Sequence, residues 1–338
     1  MLTSQLSSDL GIPIPTALLF DLADVAHLAR RLVELHPVAM SRRFGNDCVN
    51  LQIKQSAANM GRAGMDSAGL HPLIAPLKTT GSKTPIFMVH PPGGIIVCYR
   101  ELAHQLDLDQ PLYGIRARGL HGQEPLPETL ETMAAEYVLA VKSILPRGPY
   151  VLGGWSLGGL IAYEMAQQLS TLGECVKRLI LLDTTIPEDA TDLVPAGERV
   201  NVGQEYGIEL TLAELGGLAP EDQLPFLWEH ARKMGVLNEE SPPEVIAKIL
   251  EDLQELFHHH VELSTRYRMN SLSVPIVLFR PMETPCEVQV SEDRGWGHLA
   301  TDVQVHYVAG HHHSMVQPPH VKDLARKIDA LADSPFNE

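Results

Sequence analysis

The chain has 338 residues, enough for two domains or for one large α/β domain with an appendage. Its 26 Lys and Arg against 42 Asp and Glu leave a formal net charge of −16, which repels a phosphate backbone or an anionic membrane surface and argues against nucleic-acid or membrane partners. A hydrophobic content of 44% with 20% charged residues is that of a chain that folds.

The N-terminal Met1-Leu2-Thr3-Ser4-Gln5 lacks a basic stretch followed by an apolar run, and nowhere do 18 apolar residues run together, so neither a signal peptide nor a membrane span is expected. Cys48, Cys98, Cys175 and Cys286 are scattered without a Cys-x-x-Cys pair, which fits a reducing cytoplasm and suggests neither a disulfide framework nor a thiolate zinc site. Asp24 reads as the N-cap of a short helix with Val25, Leu28 and Leu32 on one stripe. Residues 1–36 are thus a helical segment, and 37–70, where the periodicity fails among Ser, Asn, Gly and Arg, read as a linker.

Organised sequence then runs from about residue 71 to 338. Leu73 to Leu77, a turn signal at Gly81-Ser82-Lys83, and Pro85 to Val89 predict a hairpin. Further short apolar runs follow at Leu112 to Ile115, Tyr150 to Gly153, Leu179 to Leu182, Ile276 to Phe279 and Val303 to Val308. Amphipathic helices lie between them, one with Leu130, Met133, Ala134, Tyr137, Val138 and Val141 at steps of three and four, another over Leu160 to Leu169. Buried strands alternating with helices predict an α/β fold, a mostly parallel central sheet covered on both faces. From about 187 to 270 no strand pattern is present, and capping boxes at Thr211 to Glu214 and Ser241 to Glu244 predict a helical insertion, read as a lid over a site or as a helical pack with only a stability role.

Gly154-Trp155-Ser156-Leu157-Gly158 is a G-x-S-x-G between a strand and a helix, the context in which a serine is thrust out of a sharp turn as a nucleophile. Serine is nearly inert until a base takes its proton, so an acid and a histidine should follow at later strand ends. Asp183, ending the run Arg178 to Leu182, and Glu283, after Ile276 to Phe279, both satisfy that position. The histidine should come from His311-His312-His313, of which only one side chain can face Ser156. Three adjacent residues cannot easily converge on one metal ion, so no metal is expected there. The triplet His258-His259-His260 sits within a helix, fans over a wide arc, and reads as incidental. Donors for a developing oxyanion are expected at the backbone N–H of Leu157 and in His90-Pro91-Pro92-Gly93-Gly94, where only Gly93 or Gly94 can supply one because proline has no N–H. That loop lacks G-x-G-x-x-G and a following Lys-Ser/Thr, which argues against a phosphate cradle.

Taken together, His90 to Gly94, Gly154 to Gly159, Leu182-Asp183, and Gly310 to Met315 followed by Pro318-Pro319-His320-Val321 resemble the thioesterase domains that end nonribosomal peptide synthetases and polyketide synthases. The resemblance implies an α/β-hydrolase core with a mobile helical lid. It selects Asp183 as the acid, and its G-x-H-x-x-M pattern selects His312. It further implies release of an acyl, polyketide or peptidyl chain from the phosphopantetheine arm of a carrier domain, the chain itself holding no cofactor. Leu6 to Leu35 is similar to the second half of an acyl or peptidyl carrier domain, without the Gly-x-Asp-Ser-Leu site that takes the arm. The rival readings are a free-standing editing thioesterase, a carboxylesterase, or a binding module with the same fold and an idle triad.

Overall fold

The computed structural model describes residues 70–120, 125–186, 243–283, 291–300 and 302–332. The chain divides into two compact units, one of Met1–Ala75 with Ile208–Leu250 and the other of Pro76–Gly207 with Glu251–Glu338. The carrier-like segment, the linker and most of the expected insertion lie outside the described residues. The site is built within the second unit.

Seven strands form one sheet: β1 (Ile74–Lys78), β2 (Ile86–Val89), β3 (Leu112–Ile115), β4 (Tyr150–Trp155), β5 (Val176–Leu182), β6 (Ile276–Pro281) and β7 (Val303–Val308). Their order is β1-β3-β2-β4-β5-β6-β7, and the pairings from β3 through β7 are all parallel. The α-helices among the described residues are α1 (Arg100–Gln105), α2 (Leu130–Ile144), α3 (Leu157–Thr171), α4 (Pro243–Arg266) and α5 (Val321–Ala332). This is the α/β-hydrolase fold.

Local sequence explains the layers. Strands β2 and β4 are buried along their whole length, as a central parallel strand covered on both faces must be. At the sheet edge, β7 keeps only its last residue fully buried. The stripe read in α2 is buried at Leu130, Met133, Ala134, Tyr137, Val138 and Val141, and the Thr129 side chain caps its start by accepting from the Thr132 N–H at 3.1 Å. Helix α3 is buried almost all round its first three turns, Leu157 to Ala166, because it lies directly over the strands that flank it. Helix α4 begins at Pro243, whose missing N–H costs nothing in a first turn.

The expected hairpin is absent: β1 does not pair with β2, and β3 lies between them. Both edges of β2 are occupied by parallel partners, β3 and β4, so no edge remains for β1. The turn signal is real, but it serves another contact. Gly81 adopts φ +126°, and Ser82 and Lys83 donate their N–H groups to the side chain and backbone carbonyl of Asp109, at 2.7 and 3.2 Å, in the loop that leads into β3.

Candidate active site

Ser156 stands at the junction of β4 and α3 with φ 55° and ψ −124°, a conformation that costs a non-glycine residue about 1–3 kcal/mol. Three hydrogen bonds hold it there. Its N–H donates to the Leu182 carbonyl (2.9 Å), and its carbonyl accepts from the Gly159 N–H (3.1 Å) and from the Thr184 hydroxyl (2.9 Å). The flanking glycines are required by space. A Cβ on Gly154 would lie 2.1 Å from the Gly158 carbonyl carbon, and one on Gly158 would lie 2.4 and 2.6 Å from the carbonyl oxygens of Val89 and His90. Because those obstacles are backbone, Gly158→Ala is expected to destabilise the protein by about 1–3 kcal/mol or more, read as a lower midpoint in thermal unfolding.

The strand register brings the other groups to the same end of the sheet. Trp155 pairs with Leu182, so Ser156 and Asp183 leave adjacent strands at one level. Asp183 is 5% exposed, has φ 48°, and donates its N–H to the Phe279 carbonyl at 2.8 Å. Its Oδ2 lies 2.6 Å from His312 Nδ1. A carboxylate can only accept, so Nδ1 carries the hydrogen, and in the neutral ring Nε2 keeps its lone pair. The His312 ring lies against Trp155, the residue before Ser156, with centroids 5.2 Å apart. Glu283, the rival acid, is exposed and meets the histidine loop only through its N–H, which donates to the Gly310 carbonyl at 3.0 Å.

The neighbouring histidines differ from His312. His311 is exposed, whereas His313 packs edge-on against Trp155 at 5.8 Å and against His312 at 5.0 Å. Burial first, then the adjacent imidazoles, lower the His313 pKa to about 4. The loop is set by Gly310, at φ +87°, where a Cβ would lie 2.5 Å from Ser314 Oγ and 3.0 Å from the His320 ring. Ser314 Oγ accepts from the His311 N–H at 2.9 Å.

Leu157 is the first residue of α3 and is buried. The first N–H groups of a helix have no intrahelical acceptor, so this donor points out of the turn with the positive end of the helix dipole behind it. In the loop after β2, the Gly94 N–H is already committed to the Pro91 carbonyl at 2.9 Å, which leaves Gly93 as the available donor of the two. Gly94 serves as backbone instead: φ is +84°, and a Cβ would lie within 2.8 Å of Leu256 and Ala117 side-chain atoms. The two strand ends are tied by Tyr99, whose hydroxyl donates to the Val89 carbonyl (2.7 Å) and accepts the Trp155 N–H (2.8 Å). Among the described residues no group of three His, Cys, Asp or Glu side chains could hold a metal ion, and no helix is long and apolar enough to cross a membrane.

Sequence reasoning missed two groups. Arg294 places Nη2 2.5 Å from Asp183 Oδ1, a charge contact rather than an aligned hydrogen bond, with both side chains nearly out of solvent. Burial lowers the Arg294 pKa while the Asp183 charge acts in the opposite sense. Arg294→Gln removes one partner of this pair and is expected to cost about 3 kcal/mol in urea-induced unfolding, because the buried carboxylate loses the guanidinium charge that faces Oδ1. Trp296 is the second, donating from Nε1 to the Thr184 carbonyl at 3.0 Å and so holding the residue that clamps the Ser156 carbonyl. Neither lies in a recognisable motif, since each reaches the site from a loop remote in sequence. The triplet His258 to His260 read as incidental is instead partly built in. His259 Nε2 bonds the Pro127 carbonyl at 2.8 Å and His260 Nδ1 bonds the Pro92 carbonyl at 2.7 Å, while His258 is exposed.

Comparison with known proteins identifies the family. Over 337 residues the chain is 28% identical to a dimodular nonribosomal peptide synthase of Bacillus subtilis (strain 168), covering 98% of this chain and 13% of that protein. It is 32% identical over 194 residues to atromentin synthetase invA5 of Paxillus involutus, covering 55% of this chain and 19% of the relative, and 32% identical over 185 residues to a relative from the same organism named inactive atromentin synthetase invA6, covering 52% of this chain and 18% of that one. The chain therefore spans less than a fifth of the length of these curated relatives. Among solved structures, the four-domain nonribosomal peptide synthetase holo-AB3403 matches with a TM-score of 0.63 at 25% identity, covering 78% of this chain and 20% of that one. The NocB thioesterase domain from the nocardicin cluster matches with a TM-score of 0.55 at 26% identity, covering 76% of this chain and 97% of that one. The family model described as thioesterase domain matches residues 84–332, most of the chain and all of the site, and the protein belongs to that family.

Proposed function

We propose that this chain is a serine thioesterase that releases an acyl, polyketide or peptidyl chain from the phosphopantetheine arm of a carrier domain. The observation that carries the reading is the short Asp183–His312 hydrogen bond, which directs the Nδ1 hydrogen of a ring lying against Trp155, the residue before the strained Ser156, and leaves Nε2 with its lone pair in the neutral form. His312 takes the Ser156 hydroxyl proton as Oγ attacks the thioester carbonyl. The tetrahedral oxyanion is met by the N–H groups of Leu157 and Gly93, each worth roughly 2.7–4 kcal/mol in the transition state. His312 returns the proton to the departing pantetheine thiol, and an acyl group remains on Ser156. Water, or a hydroxyl or amine of the chain itself, then attacks the acyl-enzyme with His312 again as base, giving an acid or a ring.

The rest of the expected organisation fits this role: a carrier-like segment at 1–36 and a linker at 37–70 before the catalytic domain at 71–338, with a lid over approximately 187–270 that sets how well water is excluded. The carrier domain is the partner, the arm enters with the substrate, and the cytoplasmic location expected from the scattered cysteines is compatible with this role. Reaction with a fluorophosphonate probe followed by peptide mass spectrometry tests the proposal. The probe should add to Ser156 and abolish thioester cleavage. An unlabelled Ser156 in folded protein would favour the idle binding module, a possibility made concrete by relatives that are named inactive.

A further inference from the structure

Two imidazoles lie under the loop that carries Gly93. His90 and His260 are both essentially out of solvent and stack face to face with centroids 4.9 Å apart. His90 Nδ1 meets the Pro91 carbonyl at 2.7 Å and its Nε2 meets the Tyr137 hydroxyl at 2.7 Å. A carbonyl only accepts, so Nδ1 bears the hydrogen and Nε2 receives the Tyr137 O–H. Burial holds His90 neutral, with a pKa lowered to about 4, and burial, followed by the neighbouring His90, also lowers His260 well below its usual range. By the same logic His260 donates Nδ1–H to the Pro92 carbonyl at 2.7 Å, while its Nε2 has no partner among the described residues.

Pro92 C=O and Gly93 N–H belong to one peptide unit. That unit is planar, and in the trans form its carbonyl and N–H point in opposite directions, so anchoring the oxygen aims the hydrogen. The Pro91 carbonyl, one unit earlier, is held twice over, by Gly94 N–H and by His90. The Pro92 carbonyl is held by His260. Proline offers no N–H of its own to add a further anchor.

We propose that His260 is a positioning residue of the oxyanion site: its Nδ1–H, bonded to the Pro92 carbonyl, fixes the peptide plane whose opposite end is the Gly93 N–H. The inference rests on the reading of Ser156 as nucleophile and Gly93 as oxyanion donor. His260 touches no reacting atom; it acts through one rigid amide and additionally polarises it, since a hydrogen bond accepted at C=O strengthens the donor at N–H. Its place in α4 makes the last helix of the expected insertion a support for the catalytic loop.

The test compares His260→Phe, which keeps the ring stacked on His90 but has no donor, with His260→Asn, whose amide N–H falls where Nδ1 was. Removing an oxyanion donor outright costs about 10²–10³ in kcat. Misaiming one should cost roughly 10- to 100-fold in His260→Phe, with KM within about twofold of wild type and an equal fold weakening of a peptidyl boronate, whose tetrahedral adduct places an oxygen at the same donors. His260→Asn should recover most of the kcat and boronate affinity. His260→Leu, likewise without a donor, serves if the Phe variant does not fold. Wild-type kcat in the donorless variant, or equal impairment in it and in His260→Asn, would overturn the proposal. Ser156→Ala distinguishes the layers: if that variant stays active, the reading of the site is wrong, whereas if it is dead and His260→Phe is normal, only the role of His260 is.

Discussion

Ser156→Ala should cleave a carrier-bound or simple acyl thioester at least about 10³-fold more slowly than the wild type, at unchanged thermal stability. The substitution removes the hydroxyl alone. The three hydrogen bonds that hold residue 156 in its turn all involve its backbone N–H and carbonyl, and alanine keeps each of them. Alanine carries the same Cβ as serine, so the strain at φ 55° is unaltered and no cavity larger than one oxygen is created. The residual rate should stay above that of the uncatalysed reaction, because Leu157 and Gly93 would still stabilise the oxyanion formed by attack of water. Paired measurements of kcat and of the unfolding midpoint check both halves.

Asp183→Asn should lower kcat by about 10⁴-fold with little effect on KM, while Glu283→Gln stays within about threefold of wild type. The reason lies in the two neighbours of the carboxylate. Arg294 sets its positive charge against Oδ1 while His312 donates Nδ1–H to Oδ2, and a carboxylate, negative at both oxygens, serves both. An asparagine has one carbonyl oxygen. The Arg294 cation draws the amide oxygen, the negative end of the amide dipole, towards itself, and the NH₂ then faces His312. Nδ1 must then accept, the ring hydrogen moves to Nε2, and the nitrogen that should take the Ser156 proton is occupied. Glu283, exposed and meeting the histidine loop only through its backbone, has no comparable part to play. The opposite ranking of the two variants would transfer the acid's role to Glu283.

What could be read from sequence follows from how far apart the cooperating residues lie. The strand-to-helix turn is legible because strand, turn, Ser156 and helix are contiguous, and each glycine in its G-x-S-x-G answers to backbone only a few residues away or next to the adjacent strand. A carboxylate and a histidine at strand ends are legible as residue types, but position alone leaves Asp183 and Glu283 open. Resemblance favoured Asp183, and the structure puts it at 2.6 Å from His312. Arg294 had no such handle: it lies in a loop after β6, and nothing in Asp293-Arg294-Gly295 announces a buried contact with a residue more than a hundred positions earlier. His260 reads in sequence only as one member of a helical histidine triplet, and a helical pattern names no hydrogen-bond partner, so its bond to the Pro92 carbonyl is not legible there. The missing hairpin has the same origin. A turn signal is local, whereas the partner of β1 was decided by competition for the edges of β2, won by two parallel strands that enter later in the chain.

The most direct measurement is acid quenching of the wild-type protein within its first turnover of a carrier-bound acyl thioester, followed by peptide mass spectrometry. The mass of the acyl group is expected on the peptide bearing Ser156, appearing before free acid or ring and disappearing as product forms. Product released with no acyl group ever found on Ser156, or an acyl group carried by another residue, would contradict it.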